Sequence, residues 1–347
     1  MFLLYGATGY TGTLIAEECA RRKIPVTLAG RSDGARVLAD RLALPFVVVG
    51  LDDAAGLDGA LAGKSCVLHC AGPFSRTSKP MVEACLRNHT HYLDITGELP
   101  IFERLAAKSS AAKDAGIMLL PGSGFDVVPS DCLAAHMKRR MPDAVSLKLC
   151  ISSLGGSLSH GTALTMVEHF HTGGAVRKNG AIVAEPAAKR THTFDLGDGK
   201  TRTGVSMPWG DISTAWHSTH IPDIEVYFSL PKSMRTALRL APLVAPLLQM
   251  ASVKRFVQSR IPAGGPDEKA REAGKSMFVG EVSDHAGNTL VSRLTAPEGY
   301  KLTALTALAC VERVTQGDAP VGFQTPSTAY GADFILAIAG TARIDVV

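Results

Sequence analysis

The sequence lacks the features that mark nucleic-acid-binding and disulfide-rich proteins. Its 347 residues carry a formal net charge of only +4, and no dense basic stripe with interleaved aromatic residues is present, so we expect no nucleic-acid partner. Seven cysteines occur, but no two of them form a C-x-x-C pair. An odd number of cysteines without motif spacing is typical of buried thiols in a reducing compartment.

A membrane-spanning segment is also lacking. A transmembrane helix needs about 20 apolar residues, whereas the apolar stretch 238–253 is shorter and contains Pro242 and Pro246. The first strand is predicted to begin at residue 2, which leaves no room for a signal or transit peptide. These features favour a cytoplasmic protein.

Acidic residues are absent between Val226 and Pro266, where all the charged residues are basic. The part at 232–260 has two interpretations that the sequence leaves open. A basic amphipathic segment can lie on an anionic membrane surface or cover a lipophilic ligand site. The alternative is a pair of helices that closes over the core.

A glycine-rich turn at the start of the chain is the most informative feature that is present. The apolar run Phe2–Tyr5 leads into Gly6-Ala7-Thr8-Gly9-Tyr10-Thr11-Gly12, and a helical stretch follows from Thr13. The first glycine allows a tight turn, the second lets a pyrophosphate approach the backbone, and the third lets helix and strand pack closely. Because the helix N-terminus favours negative charge, this pattern predicts a dinucleotide site.

The residues after the second predicted strand indicate which dinucleotide is bound. An NAD enzyme usually carries Asp or Glu about 20 residues beyond the glycines, to hold the ribose 2′-hydroxyl. Arg31 and Ser32 stand here instead. A guanidinium and a hydroxyl bind a 2′-phosphate through charge-assisted hydrogen bonds. We therefore predict NADP(H) as the cofactor.

Short apolar strands alternate with helices up to about Leu120, which predicts a Rossmann-type, doubly wound parallel sheet. One long helix is expected over Leu99–Asp114. Beyond Ser123 fewer helices separate the strands, so a second α+β domain with a mixed or antiparallel sheet is expected. We place the boundaries at 1–124 for the first domain and 125–323 for the second, with 324–347 packing back on the first.

Two further turns are expected at the carboxyl edge of the first sheet, where open α/β sheets bind ligands. One follows the fourth predicted strand and the other follows the fifth. For Thr96, cofactor contact and helix capping are equally open. The predicted cofactor-binding residues are Gly6, Thr8, Gly9, Tyr10, Thr11, Gly12, Arg31, Ser32, Cys70, Ala71, Gly72, Pro73, Phe74, Thr96, Gly97 and Glu98.

Candidate proton donors are fewer and less well marked. Asp126 lies in a loop after the sixth predicted strand, His160 precedes a predicted helix, and Tyr300 follows a glycine. Water is the remaining alternative. No tyrosine is followed four positions later by lysine, so the pair used by short-chain dehydrogenases is absent. No histidine pair has a third ligand nearby in sequence, and no metal is predicted.

Together these pieces resemble the saccharopine dehydrogenase-like oxidoreductases, including their trans-acting enoyl reductase branch. The resemblance runs through most of the chain. The matching pieces are Gly6–Gly12, Ala29–Ser32, Ala71–Phe74, Tyr92–Glu98, Gly124–Asp131, Gly265-Pro266 with Arg271, Gly299-Tyr300 with Thr303, and Thr325-Pro326 with Gly331-Ala332-Asp333.

The resemblance implies an NADP-binding first domain, a mixed second sheet and hydride transfer to a small-molecule substrate. The bond that is reduced stays open between a carbon–carbon double bond in a lipophilic chain and a C=N bond. An amino-acid substrate would need several arginines placed to grip carboxylates, and no such set is identifiable, which favours the lipophilic class. A non-catalytic NADP-binding sensor, at a membrane surface, is the alternative. Whether the chain forms a homodimer is also open.

Overall fold

The structure is a computed structural model that describes residues 1–154, 159–161, 173–238, 260 and 264–346. The chain divides into two compact units. The first contains Met1–Val128 and Tyr300–Tyr330, and the second contains the described parts of Pro129–Gly299 and Gly331–Val347.

Strands and helices alternate through the first third of the chain, and strands dominate thereafter. The strands are β1 (Phe2–Tyr5), β2 (Val26–Gly30), β3 (Phe46–Val48), β4 (Cys66–His69), β5 (His91–Asp94), β6 (Met118–Leu120), β7 (Ser146–Leu154), β8 (Gly174–Lys178), β9 (Ala181–Glu185), β10 (Thr191–Asp195), β11 (Thr201–Ser206), β12 (Asp223–Ser229), β13 (Lys275–Ser283), β14 (Thr289–Pro297), β15 (Gly322–Phe323) and β16 (Ala342–Val346). The helices are α1 (Tyr10–Arg22), α2 (Gly34–Leu42), α3 (Ala54–Leu61), α4 (Phe74–Asn88), α5 (Leu99–Ala106), α6 (Ser109–Asp114), α7 (Val128–Arg140), α8 (Asp211–Thr219), α9 (Glu268–Ala273), α10 (Gly299–Thr315) and α11 (Pro326–Tyr330), with a 3₁₀ turn at Phe334–Ala337.

The first unit is built on a parallel sheet with the strand order β3-β2-β1-β4-β5-β6-β15. Strands β1, β4 and β6 are buried along their whole length, as expected for parallel strands whose two faces are both covered. The order reverses direction between β1 and β4, which is the switch point at which such sheets bind dinucleotides. The predicted Rossmann-type fold is confirmed.

The stretch Leu99–Asp114 forms two helices, α5 and α6, instead of the single helix expected. The amide of Lys108 donates to the carbonyl oxygen of Leu105, three residues back. This tighter turn interrupts the α-helical ladder between the two helices. The apolar pattern continues across the break, which is why the sequence does not reveal it.

The second unit contains a mixed sheet with the order β10-β11-β12-β7-β13-β14-β16, and β8 joins it through β12. Strands β12 and β7 are parallel, whereas the other pairs are antiparallel. The hairpin β8–β9 was not expected, because β9 is largely exposed and lacks an alternating apolar pattern. Phe194 and Tyr227 pack with Cys150 and Val279 in a core cluster of this sheet.

The structure groups the late residues differently from the predicted boundaries. Helix α10 and strand β15 belong to the first unit, and β15 pairs in parallel with β6. Strand β16 pairs with β14 in the sheet of the second unit, although 324–347 was expected to pack on the first. The unit that a late strand joins depends on its pairing with a strand far away in the sequence, and such pairing leaves no local mark in the sequence.

Most of the segment 232–260, the candidate for membrane contact, lies outside the described residues. Among the residues that the structure does describe, no helix is both long and apolar enough to cross a membrane.

Candidate functional site

The glycine turn between β1 and α1 leaves no room for side chains at its two ends. Gly6 has a φ of +85°, and a Cβ atom there would lie 2.8 Å from the amide nitrogen of Ala71. A Cβ atom on Gly12 would lie 2.3 Å from the carbonyl oxygen of Gly6. Only glycine satisfies both the conformation at the first position and the close approach at the second. The turn therefore brings the start of α1 directly against β1 and the residues after β4.

Helix α1 begins without a side chain that caps it. Its N-cap residue is Gly9, which makes no side-chain hydrogen bond, and the first turn contains no acidic residue. The N-terminal amides of a helix and its dipole attract negative charge. The turn thus has the shape and the electrostatics that a dinucleotide diphosphate requires.

The residues that follow β2 lie close to the glycine turn. A Cβ atom on Gly34 would be 3.5 Å from Cγ2 of Thr8 and 3.7 Å from Oγ of Ser32. Thr8 and Ser32 therefore lie on a shared surface beside the start of α2. Arg31 is exposed, and it makes no ion pair or hydrogen bond with the described residues. Its guanidinium is thus available to an anionic ligand.

His69 and Thr77 support the turn at Ala71–Pro73, and no pattern in the sequence marks either of them. The Thr77 hydroxyl donates to the carbonyl oxygen of Ala71 at 2.6 Å and lies 3.1 Å from that of Pro73. Nε2 of His69 lies 3.0 Å from the same hydroxyl. Because the hydroxyl donates to Ala71, the imidazole is the donor in this second hydrogen bond.

The His69 ring is enclosed by aromatic side chains. Its centroid lies 5.4 Å from the rings of Tyr5 and Phe74 and 6.2 Å from that of Tyr92. Burial lowers the pKa of His69 to about 3, so the ring is neutral at physiological pH. A neutral ring fits a structural role beneath the turn better than acid–base chemistry.

Two of the predicted cofactor residues after β5 have structural hydrogen bonds. The Glu98 carboxylate accepts from the amides of Phe74 and Ser75 at 2.7 and 3.0 Å, so it caps the N-terminus of α4. The Thr96 hydroxyl accepts from the amide of Glu98 at 3.1 Å. The N-cap residue of α5 is Glu98 and not Thr96, so the capping interpretation of Thr96 is wrong: its hydroxyl holds the turn that precedes the helix. Cofactor contact by either side chain stays a prediction.

Asp94 joins the ends of β5 and β6. Its carboxylate accepts from the Tyr92 hydroxyl at 2.7 Å, the Thr96 amide at 3.0 Å and the Gly122 amide at 2.9 Å. Burial raises the pKa of Asp94 to about 6, although these three hydrogen bonds oppose the change. A carboxylate satisfied in this way holds the local backbone together.

Asp126 has different surroundings. Its carboxylate lies against Gly97, where a Cβ atom would be 2.7 Å from Oδ2. Oδ1 is buried and has no hydrogen-bond partner among the described residues. Burial raises the pKa of Asp126 to about 6. A buried carboxylate oxygen without a donor costs stability, and such groups concentrate at functional sites.

The first turn of α10 brings two of the predicted positions together. The rings of Tyr300 and Tyr10 meet edge to face, with centroids 5.0 Å apart and an interplanar angle of 87°. One turn later, the Thr303 hydroxyl accepts from the amide of Phe125 at 3.0 Å. Tyr300 therefore lies beside the glycine turn, in the same unit as Asp126.

His160 is the third candidate proton donor. It belongs to the second unit, where its amide donates to the carbonyl oxygen of Gly264 at 2.7 Å. In the described part of the chain, no group of three or more His, Cys, Asp or Glu residues is arranged to hold a metal ion. The seven cysteines are free thiols, and all except half-buried Cys70 are buried.

Comparison with known proteins is consistent with this geometry. Residues 2–120 match the saccharopine dehydrogenase NADP binding domain. The chain is similar to a saccharopine dehydrogenase-like oxidoreductase of Mus musculus, with 29% identity over 202 residues that cover 51% of this chain and 47% of the relative. It is also similar to a trans-acting enoyl reductase of Mycobacterium leprae, with 37% identity over 164 residues, or 44% and 38% of the two chains.

A solved structure extends the similarity in fold over the whole chain. Apo saccharopine dehydrogenase (L-Glu forming) from Saccharomyces cerevisiae has a TM-score of 0.68, with 14% identity, over 100% of this chain and 99% of that one. The chain spans less than half the length of the two curated relatives named above. Residues 2–120 thus match the saccharopine dehydrogenase NADP binding domain, and the chain is similar to saccharopine dehydrogenase-like oxidoreductases and trans-acting enoyl reductases.

Proposed function

We propose that the protein is an NADPH-dependent reductase that transfers hydride to an electron-poor C=C or C=N bond of a small molecule. The observation that carries the proposal is the carboxylate of Asp126. It lies against Gly97, in the turn after β5 of an NADP-binding domain, and its buried Oδ1 has no partner among the described residues. Reduction of such a bond requires a proton as well as a hydride, and this carboxyl group is suited to supply it.

The residues of the glycine turn and of the turn after β2 fit NADPH. Gly6 and Gly12 form a cradle that a Cβ atom would fill, and the exposed guanidinium of Arg31 is available for the 2′-phosphate. Bound NADPH supplies the hydride. Because burial raises the pKa of Asp126 to about 6, both of its protonation states are populated near neutral pH, as proton transfer requires. His160 and Tyr300 are the alternative donors.

Two observations favour a lipophilic enoyl substrate within this class. Relatives of the chain include trans-acting enoyl reductases, and the sequence offers no recognisable set of arginines for gripping the carboxylates of an amino-acid substrate.

Oxidation of NADPH should be followed with enones, enoyl thioesters and imines as substrates. We expect turnover with enoyl thioesters or enones. Tight NADPH binding without turnover on any of the three classes would contradict the reductase proposal and favour a non-catalytic NADP-binding protein.

The role of Arg31 is tested by the change Arg31→Ala. Loss of a charge-assisted hydrogen bond should weaken NADPH binding by about tenfold or more and leave NADH binding unchanged. Arg41→Ala is the matched control, since Arg41 pairs with Glu17 at 2.7 Å and lies at the far end of α2. Dissociation constants from nucleotide fluorescence provide the measurement. An unchanged ratio of the NADPH and NADH constants would refute the role of Arg31.

A further inference from the structure

Tyr10 occupies a special place in the glycine turn. It follows Gly9 directly and is the first residue of α1, so its side chain starts where the diphosphate of a dinucleotide approaches the helix. The Tyr300 ring meets the Tyr10 ring edge to face, at a centroid distance of 5.0 Å. Edge-to-face contact is the preferred geometry for two aromatic rings, because the positive edge of one ring meets the negative face of the other.

The position of Tyr300 is itself fixed by a second contact of α10. Thr303 lies three residues further along, on the same side of the helix. Its hydroxyl accepts from the Phe125 amide at 3.0 Å, and its Cγ2 lies 2.8 Å from the place that a Cβ atom on Gly124 would occupy. The first turn of α10 is thus held against the loop after β6, and the ring of Tyr300 is held against Tyr10.

We propose that Tyr300 is a positioning residue for NADPH, which acts by holding the Tyr10 ring in place beside the diphosphate turn. The inference rests on the dinucleotide site described above and does not require the reductase activity. A Tyr10 ring that is ordered before binding does not lose rotamer freedom when the cofactor arrives, and this saving strengthens binding. The ring of Tyr300 carries this effect, whereas a proton donor would act through its hydroxyl group.

The variants Tyr300→Phe and Tyr300→Leu separate these two roles. The phenylalanine keeps the edge-to-face contact, so its dissociation constant for NADPH should stay within about twofold of the wild type. The leucine loses the contact, and the constant should rise about two- to tenfold. Titration of NADPH fluorescence gives these constants without a substrate. The melting temperature of each variant should be measured in parallel, to show that the leucine protein is folded.

Tyr10→Leu and the double variant with Tyr300→Leu complete the test. If the two rings act as a pair, the double variant should bind NADPH about as well as the weaker single variant. Tyr10→Leu alone also tests the inference if Tyr300→Leu does not fold, because an unchanged NADPH constant would then overturn it. Equal losses in Tyr300→Phe and Tyr300→Leu would overturn it as well. Failure of the wild type to bind NADPH would instead refute the cofactor assignment.

Discussion

The end of β5 carries Asp94 and the loop after β6 carries Asp126, and the carboxylates of these two residues of the first unit have opposite surroundings. Asp94 accepts hydrogen bonds from a hydroxyl and two amides. Asp126 packs against a glycine and leaves Oδ1 without a partner among the described residues. Burial raises the pKa of both groups to about 6. A similar pKa therefore does not imply a similar role, and the hydrogen-bond partners distinguish structural from reactive groups.

The largest expected effect comes from Asp126→Asn. If Asp126 supplies the proton, turnover of whichever enone, enoyl thioester or imine the protein reduces should fall about 10²- to 10⁴-fold. NADPH affinity should stay near that of the wild type. Steady-state kinetics with a parallel fluorescence titration provide the measurement. Asp114→Asn, at the exposed end of α6, serves as the control for loss of a carboxylate away from the site. Full turnover in Asp126→Asn would assign the proton to another donor.

The same variant should change the pH dependence of stability. The pKa of Asp126 is raised from 3.8 to about 6 on folding, so its contribution to stability is greatest below about pH 4 and is lost as the pH rises through 6. Asp126→Asn should therefore gain about 1–3 kcal/mol relative to the wild type between these pH values. Melting temperatures at several pH values would show this as a growing difference. A difference that does not vary with pH would contradict the burial argument.

Asp94→Ala should have the next largest effect, and on stability. It leaves the Tyr92 hydroxyl and the amides of Thr96 and Gly122 without their acceptor, and each unsatisfied buried group costs about 1–3 kcal/mol. We expect a loss of about 3 kcal/mol or more, seen as a lower melting temperature. Tyr92→Phe removes a single donor to Asp94 and should cost about 1 kcal/mol. Equal losses in the two variants would show that Asp94 does not link the strand ends.

Gly97→Ala should have the smallest effect of the three substitutions. The new Cβ atom would lie 2.7 Å from Oδ2 of Asp126, so the carboxylate must move. A displacement of this size should lower turnover about tenfold. Gly59→Ala is the matched control, because a Cβ atom there meets nothing within 4 Å in helix α3. Equal turnover in the two variants would mean that the position of Asp126 does not matter for the reaction.

The parts of the site that depend on local sequence could be predicted. The glycine turn and the parallel sheet follow from spacing and strand–helix alternation, and the structure has both. The cofactor role of Arg31 and Ser32 stays a prediction. The contrast between Asp94 and Asp126 could not be predicted, because it depends on which backbone amides reach each carboxylate in the folded chain. The support of the Ala71 carbonyl by Thr77 and His69 also has no mark in the sequence, because it depends on which side chains meet that carbonyl in the folded chain.

The discontinuity of the first unit has a consequence for how the protein is made. Strand β15 and the described helix that carries Tyr300 are encoded after the whole of Pro129–Gly299. During synthesis, the ribosome must therefore finish Pro129–Gly299 before β15, the last strand of the first sheet, and Tyr300, the aromatic partner of Tyr10, become available. A recombinant fragment that stops at Val128 would contain every glycine of the turn and still lack one edge strand of its sheet.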